Sequence, residues 1–207
     1  AAKVADEVLE EALSNQVSTE KQLASHIDTG FIQRGLKNSF DTIVASNKNA
    51  SNPHHQTSLS KLKGFTVIDF GCKYKGYCSD TSRTVFFGKP NMQQREMYEV
   101  LLSAQQNAIK ESVLTANFSS IAKNVRQRLG KYDELFIHSL GHGVGIQVHE
   151  APTVSVKSTA KVEKDMVFTI EPGIYKEGLF GIRIEDMVVA KQKPTVLTKF
   201  TKELLSF

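Results

Sequence analysis

The sequence predicts an α+β fold in which two pseudo-symmetric halves share one curved antiparallel sheet. Two observations carry this. The order helix, helix, strand, hairpin runs as far as Pro90 and then starts again. Helical and strand-like stretches also come in separate runs, whereas a doubly wound parallel sheet would alternate them. The chain has 207 residues, enough to bury a sizeable core. No low-complexity segment or flexible linker divides it, so residues 1–207 are expected to form a single domain.

Each element has a local cause. Val4, Val8, Leu9, Ala12 and Leu13 recur at helical spacing in a stretch that ends by Asn15. Thr19 with Gln22 gives a capping-box signature ahead of Leu23, Ile27 and Phe31, and Gly35 is a natural stop. Phe40 to Ser46 reads as a strand, followed by a polar loop from Asn47 to Ser58 that contains Pro53. Phe65 to Cys72 and Tyr77 to Phe87 read as a hairpin broken at Gly76 and ended at Gly88-Lys89-Pro90. In the second half, Met97, Val100, Leu101, Ala104, Ala108 and Ile109 mark a long amphipathic helix. Asn117 opens another through Ile121, Val125 and Leu129, closing at Gly130. Phe136 to Leu140, Gly145 to His149, Met166 to Tyr175 and Gly181 to Ala190 then read as strands.

Composition excludes several classes of function. Hydrophobic residues are 40% and charged residues 23%, which separates the chain from disordered proteins. Uninterrupted apolar stretches are only a few residues long, so no membrane span is expected. The first residues lack the apolar segment of a secretory signal, and the expected location is cytoplasmic. The net charge is +4, but Lys and Arg are scattered and Trp is absent. That pattern reads as a solvated basic surface rather than a nucleic-acid footprint. Cys72 and Cys78 are too few for a disulfide scaffold or a four-cysteine zinc site, and free thiols are expected.

Four acids stand out because they sit in otherwise apolar strand sequence. A hairpin centred between Tyr74 and Lys75 would place Asp69 opposite Asp80, and one centred on Gly178 would place Glu171 opposite Glu185. Facing carboxylates repel, and burying them uncompensated is costly. One such pair reads as solvent-facing strand acids. Two pairs at matching places in two similar halves call for bound cations. The run from His138 to Glu150 adds His138, His142 and His149, interleaved with glycines that let a ligand approach the backbone. His54 and His55 lie in the loop after Pro53, where catalytic groups tend to concentrate. Four carboxylates and one imidazole are hard ligands that suit Mn(II), with Co(II) or Zn(II) as alternatives. Five side chains exceed the needs of one open ion and fit two ions about 3.5–4 Å apart.

These blocks resemble a known family. The run from His138 to Glu150 is similar to the proline-peptidase signature, and the resemblance extends to Asp69-Phe-Gly, Gly76 to Thr84, Ile170 to Tyr175 and Gly181 to Asp186. The family is the Xaa-Pro peptidases, aminopeptidase P and prolidase, relatives of methionine aminopeptidase with the pita-bread fold. Family members carry an N-terminal domain ahead of the catalytic one. Ala1 falls within what resembles the first catalytic-domain helix, so the catalytic domain alone is expected here.

The resemblance implies roles position by position. Asp69 would hold one cation, Asp80 and Glu185 would bridge both, and His142 and Glu171 would hold the second. Glu171 would also shuttle a proton. His54 would contact substrate near the scissile bond, with His55 its less certain neighbour, and His149 would hydrogen-bond the reacting carbonyl. Arg183 would lie behind the ligands or beside the substrate, and His138 would support the proline pocket or the metal ligands. The implied activity is release of an N-terminal residue that precedes proline in short peptides, by an enzyme holding two divalent cations. A homodimer is compatible with that resemblance. Three alternatives compete: a non-catalytic pita-bread binding module, a methionine-aminopeptidase-like enzyme, and a metal-free enzyme of the creatinase kind. The complete ligand set opposes the first and third, and the block around His142 and His149 opposes the second.

Overall fold

A computed structural model describes residues 1–207. The two N-terminal amphipathic stretches form α1 (Ala2–Leu13) and α2 (Glu20–Gln33). Thr19 caps α2 by accepting the Gln22 N–H at 3.2 Å, while the Gln22 side chain reaches back to the Ser18 N–H at 2.9 Å. Gly35, at φ +68°, turns the chain out of the helix. The first-half strands are β1 (Lys37–Asn38), β2 (Ile43–Ser46), β3 (Gly64–Phe70), β4 (Cys72–Tyr74), β5 (Tyr77–Cys78) and β6 (Thr81–Phe87). They pair antiparallel in the orders β2-β3-β6 and β1-β4-β5.

The second half repeats the scheme. Helices α3 (Met92–Glu111) and α4 (Phe118–Leu129) lead through a 3₁₀ turn at Gly130–Leu135 to β7 (Gly141–Gly143) and β8 (Glu150–Val154). Strands β9 (Val167–Ile170), β10 (Gly173–Lys176), β11 (Phe180–Arg183), β12 (Asp186–Val189) and β13 (Thr195–Val196) follow. The sheet order is β13-β12-β9-β7-β8, and β10-β11 forms its own ladder.

Each helix pair buries its apolar face on its own half. Leu9, Leu23, Ile27 and Phe31 pack with Val44, Ile68 and Phe70 in one core. Tyr98, Leu101, Phe118 and Val125 pack with Phe168, Ile170, Ile182 and Ile184 in the other. Side chains alternate along a strand, so the face opposite Ile68, Phe70, Ile182 and Ile184 carries Asp69, Arg183 and Glu185. The halves meet where the Glu185 N–H donates to Ser82 O at 3.1 Å and the Arg183 N–H donates to Thr84 Oγ1 at 3.0 Å. The curved surface thus bends at a seam where the regular ladders stop.

Four expectations are corrected. Asp69 is not opposite Asp80: β3 and β6 pair Asp69 with Ser82 and Phe70 with Thr81. The turn is centred on Lys75 and Gly76, at φ +50° and +88°, so the two aspartates become diagonal neighbours on one face. Phe136 to Leu140 is not a strand: the Phe136 carbonyl accepts from Arg126, the Ser139 carbonyl accepts from His138, and neither residue joins a ladder. Gly145 to His149 is a loop closed on itself, with Gly145 N–H donating to Gln147 O and Gln147 N–H to Glu150 Oε1. The strand read from Phe40 begins only at Ile43. The Glu171–Glu185 register fares better. Pairs Gly173–Arg183 and Ile170–Asp186 flank those two residues on either side of a break. Cys72 and Cys78 are free thiols.

Beneath the seam, fully buried Asp186 accepts from Arg83 at 2.8 Å, Thr198 at 2.7 Å, Gln105 at 2.9 Å and Lys202 at 2.5 Å. Burial pushes its carboxyl up, but Arg83 and Lys202 outweigh that and hold it below the ordinary aspartate range. A depressed carboxyl adds stability that is complete above its unfolded pKa, 3.8, and is lost as pH falls through the folded value. Asp186→Asn, which leaves the buried Arg83 cation without its counter-ion, should lower unfolding free energy by about 3–5 kcal/mol at pH 7 in urea titrations. An unchanged midpoint would contradict this assignment.

Candidate metal centre

Breaks in the ladders deliver the acids. Asp69 sits near the end of β3, and Asp80 precedes β6. Glu171 lies in the gap between β9 and β10, beside Pro172, which has no N–H to continue a ladder. Glu185 lies in the matching gap between β11 and β12, and His142 is central in β7. Gly141 lets β7 approach β9, since a β-carbon there would meet Thr169 O at 2.0 Å.

Ligand atoms of Asp69, Asp80 and Glu185 lie within 4.8 Å of one another, as do those of His142, Glu171 and Glu185. These two triads overlap at Glu185. A third group, Asp80, His142 and His149, meets the same limit, so the geometry also brings His149 within ligand range. The His142 tautomer is set by its Nδ1–H, which donates to Gly143 O at 3.0 Å. Its Nε2 then faces Glu171 Oε1 at 3.2 Å and Asp80 Oδ2 at 3.5 Å.

The electrostatics are those of anions short of positive charge. Burial, then Asp69 and Glu171, push the Asp80 carboxyl well above the ordinary range. Burial, then Asp80 and Glu171, do the same to Glu185. Burial opposes a charge on His142, but its hydrogen bond to Glu171 and the charges of Glu171 and Asp80 lift it to about 9. Glu171 goes the other way: burial is outweighed by His142, His138 and Arg183, and it is held low. Asp69 Oδ1 is buried with no hydrogen-bond partner. A buried oxygen left unpaired among clustered carboxylates fits a cation-binding site.

A hydrogen-bonded chain backs the acids. The Arg183 guanidinium donates to Asp69 Oδ2 at 2.7 Å, Ser82 Oγ at 2.7 Å, Tyr175 Oη at 3.0 Å and Pro53 O at 3.3 Å. Ser82 Oγ donates on to Glu185 Oε2 at 2.8 Å. Burial pushes the Tyr175 phenol up to about 12, so it remains a donor to His138 Nε2 at 3.0 Å. His138 Nδ1–H donates to Ser139 O at 2.7 Å, and burial keeps this ring toward the neutral form. Arg183 is therefore buried behind Asp69. His149 is exposed beside His142, their ring centroids 4.2 Å apart.

The acids floor a cleft of about 760 Å³ that His54, His55, His138, His142 and His149 also line. Of the adjacent pair, His55 gives its Nε2 to Glu20 at 3.0 Å, whereas the exposed His54 is bonded only through its backbone N–H. Sequence reasoning passed over Ser82, Thr169, Tyr175 and Glu20. Thr169 accepts the His142 N–H and donates to Glu171 Oε1, both at 3.0 Å. Ser82 escaped because the expected register put Asp80, and not Ser82, opposite Asp69. Thr169 lies two residues before Glu171, the spacing of one strand face.

Comparison with known proteins agrees with this architecture. The chain is 42% identical over 202 residues to an Xaa-Pro dipeptidase from Lactobacillus delbrueckii subsp. lactis, covering 94% of this chain and 54% of that protein. A prolidase from Thermococcus sibiricus superposes with a TM-score of 0.96 at 38% identity, covering all of this chain and 59% of that one. An X-Pro aminopeptidase from Thermotoga maritima gives 0.94 at 35% identity, covering all of this chain and 61% of that one. The chain thus has the pita-bread fold and spans just over half the length of these relatives. Residues 1–192 match metallopeptidase family M24, and the chain belongs to that family.

Proposed function

We propose that this chain supplies the catalytic site of a peptidase that hydrolyses the bond between an N-terminal residue and proline in short peptides. The observation that carries the reading is the pair of ligand triads sharing Glu185 at the floor of an open cleft. The curated relative from Lactobacillus delbrueckii subsp. lactis is named for Xaa-Pro dipeptide cleavage, which supports the substrate class. Two divalent cations suit the triads, with Asp69, Asp80 and Glu185 around one and His142, Glu171 and Glu185 around the other. The oxygen-rich donor set favours Mn(II), with Co(II) or Zn(II) able to substitute. Such a pair, when bound, acidifies water and polarises a carbonyl.

The chain's own groups do the rest. Glu171, kept ionised by its neighbours, accepts a proton from the attacking water and delivers it to the proline nitrogen as that bond breaks. His149 stands exposed over the cleft, and burial together with the neighbouring His142 lowers its pKa, so its neutral ring offers an N–H to the developing oxyanion. His54 faces the substrate from the opposite loop, His138 supports the wall that receives proline, and Arg183 orients Asp69. No helix is long and apolar enough to cross a membrane. The site of action proposed is the cytoplasm, as a homodimer of the kind the family resemblance allows.

Two variants test the roles. Glu185→Ala should lose bound cations in elemental analysis together with Xaa-Pro hydrolysis, since one residue serves both triads. Near-normal activity would sink the two-cation reading. His149→Ala should keep both cations yet lower kcat by about 10²–10³, the usual cost of removing an oxyanion donor. Loss of metal as readily as in His142→Ala would instead make His149 a ligand.

A further inference from the structure

The loop that carries His54 is held from behind by a carboxylate outside the metal cluster. Glu20, the first residue of α2, is 0% exposed. Its Oε1 accepts from Ser46 N–H at 2.8 Å and Asn49 Nδ2 at 2.9 Å. Its Oε2 accepts from Ser58 N–H at 3.0 Å, Ser58 Oγ at 2.6 Å and His55 Nε2 at 3.0 Å. Burial opposes the charge, but the bonds from Ser58, Asn49, Ser46 and His55 outweigh it and hold this carboxyl below its ordinary range. A helix N-terminus adds to the preference for an anion.

The donors are distributed with purpose along the chain. Ser46 and Asn49 stand at the start of the loop, Ser58 at its end and His55 in the middle. His54 itself is tied only through its N–H, which donates to Asn52 Oδ1 at 3.0 Å. Its exposed imidazole has no partner in the chain, so its direction is inherited from its two neighbours. On one side, the Pro53 carbonyl accepts from Arg183. On the other, the His55 ring donates to Glu20.

We propose that the Glu20–His55 pair is a positioning device that locks this loop so that His54 presents its imidazole to the substrate. The proposal rests on the reading above that His54 meets substrate. The adjacent histidines, which both line the cleft, divide the work: the His55 ring is bonded to the buried carboxylate, and the exposed His54 ring is left free to meet a ligand. A reacting group displaced by about 1 Å can lose as much as a hundredfold in rate, so a clamp remote from the chemistry has leverage.

His55→Phe keeps a ring and removes the donor, while Glu20 retains Ser46, Asn49 and Ser58, so the fold should persist. Expected on the Mn(II)-loaded chain is a kcat for Xaa-Pro cleavage lowered roughly 10- to 100-fold. Cation content should not change. His55→Gln, whose amide can still donate to Glu20, should recover most of the rate. In a His54→Ala background, adding His55→Phe should cost less than about twofold, because the pair acts only through His54. NMR of the His54 ring should show one defined environment in the native chain and an averaged one in His55→Phe. Additive losses in the double variant, or an unmoved His54 ring signal, would overturn the proposal. Should the Mn(II)-loaded native chain fail to cleave Xaa-Pro substrates, the peptidase reading falls, and the NMR comparison still decides whether His55 sets the His54 ring.

Discussion

Mutual repulsion among Asp69, Asp80, Glu171 and Glu185 is the constraint around which the molecule is arranged. All four carboxylates meet on the floor of the cleft between the two halves, where Asp80 and Glu185 are buried and Asp69 and Glu171 are partly exposed, so like charges are screened less than at an open surface. The chain answers partly with its own cations. Arg183 pairs with Asp69 and His142 with Glu171, while Asp80 and Glu185 are pushed toward protonation. Those answers are incomplete, as the unpartnered Asp69 Oδ1 shows. Bound divalent cations would supply the positive charge that the cluster lacks.

The fold makes that cluster affordable. Each half has its own helix-backed core, so stability comes from apolar burial remote from the acids. The seam leaves Glu171 and Glu185 outside the regular ladders, free to point at a common centre from equivalent gaps. Behind the seam, Arg83 and Asp186 satisfy one another and tie down the segment from Phe200 to Lys202. The two cores therefore flank the site, while the exposed His54 and His149 ride on loops.

Alternation exposed the acids, because each interrupts an apolar strand pattern, and the three histidines from His138 to His149 advertised themselves by density. The register around Asp69 was harder. Lys75 adopts a positive φ that a non-glycine residue rarely takes, which moves the turn centre and puts Ser82 where Asp80 was expected. In the strands expected at Phe136 and Gly145, side chains bond the backbone and no ladder forms. Least legible were Tyr175, Ser82 and Glu20. Their roles come from contacts such as Arg183 with Ser82 and Glu20 with Ser58, which link distant stretches and leave no local pattern.

The proposal that this cluster binds two cations in exchange for protons is tested by calorimetric titration of Mn(II) into the chain at pH 7 in buffers of differing ionisation enthalpy. Ligands must shed protons to bind metal, so the heat should depend on the buffer. The account predicts two Mn(II) per chain with net proton release, since His142 sits at about 9 and Asp80 and Glu185 are raised. Binding of fewer than two ions, or binding whose heat is the same in every buffer, would contradict it.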